Sequence, residues 1–400
     1  MTVSNDRQRW LAMAGIAIAS FLGCIDFTIV NTAIPAIQAA FDADIAQVQW
    51  TVTAFVAALS ICTIAVGHLA DRHGRREAMF ASMGLFAAAS LGAGLAPNLT
   101  WLVLWRAVQG VACAGLYTVS AAVAAAMFPE QQRGRALGLL FSINGLGLAF
   151  GPVAGGLLVE AWGWRAIFLL NVPLIAAGFA LCSGRLPASP TNAAQRSAAP
   201  ALRWSLFAQP RFAVAACATA ALALFYCVAF FLMPLYLGEL RAQGSATTGW
   251  LLLPTTAVMA LVSPLAGRGC DRIGCGRVMM VGFIALLVSA LMQATFNAGT
   301  PWPWVLAAFA CMGLGWGCVL GPSMAAALAA LPQALAGTAL GVATTLHNIG
   351  GALGLAIGTA VFRLAAQDGG FVAGYQLVML LLAAVCLGAL AMLLRWRNAL

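Results

Sequence analysis

Gly134-Arg-Ala-Leu-Gly138, followed by Asn144-Gly-Leu-Gly147-Leu-Ala-Phe-Gly151-Pro152-Val-Ala-Gly155-Gly156, decides how this chain is built. Gly147, Gly151 and Gly155 recur every fourth residue, which places them on one face of a helix. A helix face without side chains lets a neighbouring backbone approach closely, the packing device of helices in lipid. Shifted by 203 residues, Gly134, Gly138, Gly147, Gly151 and Gly155 fall on Gly337, Gly341, Gly350, Gly354 and Gly358. Ala-Leu precedes the second glycine in both copies. The chain is built twice.

Its composition identifies the solvent. Hydrophobic residues make up 62% of 400 and charged ones 8%, against roughly 45–50% and 25% in a soluble domain. So little charge cannot cover a water-facing surface of this size, and an all-α membrane protein follows. The 20 basic residues are all arginine. Although the net charge is +9, the arginines sit in short connections between apolar runs, as topological anchors do, and no nucleic-acid partner follows. The eleven cysteines scatter singly and read as small buried residues. Cys270 and Cys275 lack the second pair that a zinc site needs, so no metal and no cofactor are expected.

A membrane span needs about 20 apolar residues. Twelve runs qualify: Trp10–Val30, Gln47–Gly67, Ala78–Ala96, Leu99–Met127, Arg135–Val159 and Arg165–Leu181, then Phe212–Leu237, Thr247–Ala266, Arg277–Phe296, Trp302–Leu328, Gln333–Phe362 and Phe371–Leu394. The first run carries an Asp and has no small-residue cleavage site, so it reads as a retained span. Most tryptophans lie at span ends, where an interfacial belt belongs; Trp316, in mid-span, is the exception. An Ala/Ser/Pro-rich stretch divides the chain into residues 1–183, a linker at 184–210, and residues 211–400. With the N-terminus inside, sixteen arginines fall on the cytoplasmic side, against Arg165, Arg241 and Arg363 outside. Both termini are therefore expected in the cytoplasm.

A second duplication supports the halves. Gly67-His-Leu-Ala-Asp71-Arg72-His-Gly74-Arg75-Arg76 follows span 2, and Gly267-Arg-Gly-Cys-Asp271-Arg272-Ile-Gly274 follows span 8, at an offset of 200. The expectation is a tight loop in which the glycine turns the chain and the aspartate accepts from amides at a helix start. Gly67, Asp71, Arg72, Gly74, Arg75, Arg76, Asp271 and Arg272 are the candidate gating residues.

At this point the chain resembles the major facilitator superfamily, and within it the drug:proton antiporters. Gly67 to Arg76 looks like the superfamily's loop 2–3 motif, and Asp271-Arg272 like its weaker copy. Arg106-Ala-Val-Gln109-Gly110 looks like the span 4 motif, and Gly147 to Gly156, with Gly151-Pro152, like the antiporter motif of span 5. Asp26-Phe-Thr-Ile-Val-Asn31-Thr-Ala-Ile-Pro35 and Trp164-Arg165-Ala-Ile-Phe-Leu-Leu-Asn171-Val-Pro173 resemble signatures of the EmrB/QacA-type branch. Two features depart from that branch, which usually has fourteen spans: the linker stands where two extra helices belong, and His347-Asn348 replaces a frequent Arg-Gln. The resemblance implies twelve helices in two six-helix pseudo-repeats and a proton-driven efflux transporter.

Ionisable groups inside a bilayer are costly, roughly 2.5–3.5 kcal/mol on insertion scales, so each is a functional candidate. Asp26 and Arg106 lie about 6–11 Å below the outer edge at ~1.5 Å per residue, close enough in depth for contact. Neither has a charged counterpart in the second half. A lone buried acid beside a guanidinium can carry protons, and Asp26 and Arg106 are the candidate coupling pair. Asn31, Gln109, Tyr117, Asn144, Tyr226, Trp316, His347 and Asn348 are candidates for a substrate cavity. Alternating access of the two halves would export small lipophilic, possibly cationic compounds across a bacterial inner membrane. A dedicated metabolite exporter or an uptake symporter would use the same fold. The partners are then a small-molecule substrate, protons and membrane lipid, and a monomer is expected. An enzyme would need convergent His, Asp or Glu residues, which the three histidines do not supply. The absence of lysine excludes a nucleotide-binding loop on this chain.

Overall fold

A computed structural model describes residues 6–186, 209–330 and 336–396. The described residues contain fourteen α-helices and no strand. In the first part of the chain these are α1 (Asp6–Ile29), α2 (Ile34–Phe41), α3 (Ile45–Val48), α4 (Trp50–His73), α5 (Arg75–Gly94), α6 (Leu99–Met127), α7 (Glu130–Trp162), α8 (Arg165–Leu169) and α9 (Asn171–Cys182). The second part holds α10 (Pro210–Leu235), α11 (Ser245–Ile273), α12 (Cys275–Gln293), α13 (Trp302–Ala329) and α14 (Ala336–Arg395). Most of the linker expected at 184–210 lies outside the described residues.

Helix boundaries follow local chemistry. Asn98 accepts from Trp101 N at 3.1 Å and starts α6, and Asp44 with Gln47 forms a capping box at α3. Eleven helical stretches are long and apolar enough to cross a membrane. At the place of the third expected run, α5 has 20 residues but falls short on apolar content, diluted by Glu77, Ser82, Ser90 and its glycines. The run α14 holds the last two spans, parted at Gly370 (φ 70°, ψ −174°).

The duplicated motif corrects one expectation. Gly67 to Arg76 and its copy are expected to be loops, but α4 continues to His73 and α11 to Ile273. Asp71 and Asp271 therefore sit in last turns, not at helix starts. Only Gly74 (φ 113°) and Gly274 (φ 90°) break the helices. Nothing upstream stops the helix, and a positive φ is the conformation that glycine alone adopts cheaply.

The chain divides into two compact units, Met1–Ala43 with Trp50–Ala201, and Asp44–Gln49 with Leu202–Leu400. In the first, the glycine face of α7 lies on α1. A Cβ at Gly147 would come within 3.0 Å of the Phe21 ring, and one at Gly155 within 2.6 Å of Ile29 O. At Gly151 it would collide with the Thr28 hydroxyl. Pro152 sits inside the uninterrupted α7, and Gly156 is buried beside Gly155. In the second unit, Gly350, Gly354 and Gly358 of α14 pack on Ala220, Leu224 and Val228 of α10. Each unit thus closes its first span against its fifth through the same repeated face.

The cysteines correct a second expectation. Six are buried and four half-buried, but Cys217 is exposed on the apolar surface of α10. In lipid an outward-facing cysteine is as well placed as an alanine.

Gly151→Leu should lower stability by about 1–3 kcal/mol, as overpacking does. Gly145→Leu, where a Cβ meets nothing within 4 Å, should leave it near wild type. Thermal unfolding of both purified variants checks this, and equal losses would remove the close-contact argument.

Candidate functional site

In the first unit, Gly110 lets α6 press against α4. A Cβ there would meet Phe55 O, with Ala58 Cβ and Leu59 N at 3.0 Å. One turn earlier on α6, Arg106 reaches across to α1 and α4. Its Nη1 donates to Asp26 Oδ2, forming an ion pair in which both side chains are at most 1% exposed. The same nitrogen donates to Gln109 Oε1 at 2.9 Å, and Nε donates to Thr51 O at 2.9 Å. The guanidinium lies 4.2 Å from the Phe55 ring centroid and 5.8 Å from that of Phe168, a cation–π setting that suits a desolvated arginine.

The acid has a second partner. Asn171 Nδ2, at the start of α9, donates to Asp26 Oδ1 at 3.4 Å, so each carboxylate oxygen has its own donor. Gln109 in turn donates to Ser90 Oγ on α5 at 2.8 Å. Hydrogen bonds thus support both members of the pair, as a buried ion pair requires if it is to offset its desolvation. Among residues whose burial is described, Asp26 and Arg106 are the only buried charged side chains.

The remaining sequence candidates distribute unevenly. Asn31 is buried but turned on its own helix, donating to Phe27 O at 3.1 Å and Thr28 O at 3.4 Å. Tyr117 lies beside Gly23, further along α6. Asn144 leaves its Oδ1 without a hydrogen-bond partner. Of the cytoplasmic motif, Arg72 and Arg75 are exposed, while Arg76 is half-buried and 6.0 Å from the Phe80 centroid. The Asp71 side chain lies outside the described residues. Asp271 and Arg272 are exposed.

In the second unit, the candidates Tyr226, Trp316 and His347 meet. His347 Nδ1 faces Thr219 O at 3.1 Å and Thr219 Oγ1 at 3.0 Å. A carbonyl can only accept, so Nδ1 carries a proton and Nε2 is left to accept from Tyr226 OH at 3.4 Å. A neutral ring satisfies this arrangement. Tyr226 stacks on Trp316, centroids 4.3 Å apart and planes within 15°, and Phe230 meets the indole edge-on at 6.0 Å. Trp316 Nε1 is buried without a hydrogen-bond partner. Asn348 is buried next to His347.

Sequence reasoning passed over Thr51, Phe55, Ser90 and Phe168 as site residues and gave Asn171 only as part of a motif. Ser90 and Asn171 carry a readable signal, a polar residue within an apolar run. Thr51 contributes a backbone carbonyl, and its side-chain type carries no signal for that.

Comparison with known proteins agrees with this architecture. Over 407 residues the chain is 28% identical to the multidrug resistance protein Stp of Mycobacterium tuberculosis, covering 88% of this chain and 75% of that protein. It is 27% identical over 402 residues to a tetracenomycin C resistance and export protein of Streptomyces glaucescens, with 87% and 75% covered. With the riboflavin transporter RibZ of Clostridioides difficile it shares 24% over 404 residues, 89% of each chain. The fold superposes on a crystal structure of a bacterial homolog of the human lysosomal transporter Spinster with a TM-score of 0.82 at 15% identity, covering 99% and 98% of the chains. The Major Facilitator Superfamily profile matches residues 16–355. This integral membrane protein, a transporter of small molecules, belongs to the major facilitator superfamily.

Proposed function

We propose that the protein exports small lipophilic compounds in exchange for protons, by alternating access of its two halves. The observation that carries this reading is the buried Asp26–Arg106 pair. A proton arriving at Asp26 removes the charge that Arg106 holds. The arginine keeps Gln109 Oε1, Thr51 O and the Phe55 ring, so protonation takes away its counter-charge but leaves its other contacts in place. Asp26 is then the proton carrier of the exchange. The relatives named for multidrug resistance and for tetracenomycin C export support drugs as cargo. The arginine distribution supports cytoplasmic termini and a bacterial inner membrane, and the protein is read as working as a monomer.

The test is a vesicle assay with purified protein, an imposed pH gradient and a panel of lipophilic antibiotics. Wild type should move protons when a substrate is added, and Asp26→Asn should not. Drug-induced proton movement at normal rates in Asp26→Asn would reject Asp26 as the carrier.

Stability separates coupling from folding. Asp26→Asn leaves Arg106 buried without its counter-charge, a loss of about 3–5 kcal/mol. Adding Arg106→Gln to that variant should recover most of the lost thermal stability and none of the proton movement. A double variant no more stable than Asp26→Asn would show that the pair is not energetically coupled.

The cytoplasmic motif is read as a gate latch. Asp71→Asn should slow turnover several-fold with little change in substrate affinity, and Asp271→Asn should do so more weakly. Transport rate and affinity at matched protein levels decide. A larger turnover defect at Asp271, or a pure affinity loss at Asp71, would assign the latch to the other half.

A further inference from the structure

The two units treat equivalent positions differently. The 200-residue offset of the Gly67–Gly74 motif takes Asp26 to Tyr226. The 203-residue offset takes Cys113 to Trp316 and Asn144 to His347. That second offset also relates Gly110, which packs on Phe55 O of α4, to Gly313, which packs on Thr255 O of α11. Of the charged pair only Asp26 has a counterpart in this row, since the 203-residue offset takes Arg106 to Phe309, and the row of His347, Tyr226 and Trp316 is uncharged.

This row has one unmet requirement. Trp316 is 2% exposed, and its indole N–H donates to nothing in the protein. Thr255 Oγ1 is likewise buried and unpartnered, on the helix that touches α13 at Gly313, one turn from Trp316. A buried donor left unpaired costs free energy that a ligand acceptor recovers. The rings around it are flat and apolar, packed on one another and nearly buried, and stacked aromatic pairs are worth about 0.5–1.5 kcal/mol beyond burial. No anion among the described residues of this unit is buried. In the first unit, Asp26 is already neutralised by Arg106, so a permanent cation finds no free counter-charge there.

Resting on the efflux reading above, we propose that the second unit recognises the cargo and that this cargo is an uncharged, planar aromatic compound with a hydrogen-bond acceptor at its edge. Such a compound stacks on the Tyr226–Trp316 row and takes the Trp316 N–H. The first unit handles the proton and the second the substrate. Lipophilic cations are poor ligands of this arrangement.

Equilibrium dialysis of the purified full-length protein in detergent tests this with three probes. Anthraquinone is flat, neutral and carries carbonyl acceptors; anthracene has the same shape without them; tetraphenylphosphonium is a bulky cation. Wild type should prefer anthraquinone over anthracene by about two- to tenfold, the worth of one net hydrogen bond. Trp316→Phe keeps a ring, drops the N–H, and should erase that preference while anthracene binding changes little. Tyr226→Leu should weaken both flat probes, by about two- to tenfold, through the lost stacking contact. Tetraphenylphosphonium should not displace anthraquinone. Equal binding of the two flat probes to wild type, a preference that survives Trp316→Phe, or displacement by the cation would each overturn the proposal. The vesicle assay reads proton coupling separately. Cation-driven proton movement there, with no anthraquinone binding here, would sink the substrate assignment and leave the efflux reading standing. Anthraquinone binding here, with no proton movement when anthraquinone is added to the vesicles, would sink the efflux reading and leave the binding site standing.

Discussion

A guanidinium and a carboxylate taken out of water hold the first unit to a narrow set of geometries. Each ion carries a desolvation penalty of several kcal/mol, recovered only if its partners are in place. Here α1 supplies the acid, α6 the base, and α4, α5 and α9 the further hydrogen bonds. Five helices must therefore arrive in register before the charges are tolerable. The small residues are what let them arrive: Gly110 brings α6 onto α4, and the glycine face of α7 seats α1.

The second unit repeats the frame and fills it with neutral chemistry. Ser289 stands where the 199-residue shift takes Ser90, and it too is hydrogen-bonded, donating to Ala308 O at 2.7 Å while accepting from Gln293 at 3.0 Å. Gln293 accepts from Tyr375 OH at 2.7 Å, so this network ends on a phenol where the other ends on an ion pair. Duplication preserved the backbone approach that glycine allows and left the polar interior free to diverge. Buried networks tolerate this because each is satisfied within its own unit.

Much of this was readable from residues. The fourfold glycine spacing marked the contact faces, because a missing side chain has a direct geometric meaning, and α6 spans Leu99–Met127 as read, fixed by the Asn98 cap. Rarity marked Asp26 and Arg106, since few charges persist in lipid. Partners were harder. Thr51 acts through a carbonyl that every residue possesses, and Phe55 and Phe168 look like ordinary core until a guanidinium lies against them. Gly67 to Arg76 misled because its charges suggest an irregular connection. No residue before Gly74 forbids helical backbone, and the helix simply continues until that glycine.

That single break sets how force passes along the chain. Two peptide units cover at most about 7 Å, so the joint between α4 and α5, and that between α11 and α12, contains no slack. Neither pair can slide lengthwise or draw apart at that end; each can only swing about one point, like a pair of compasses. Any displacement of the end of α4 is therefore passed to α5 through that one point, and the chain carries the same compass in both halves.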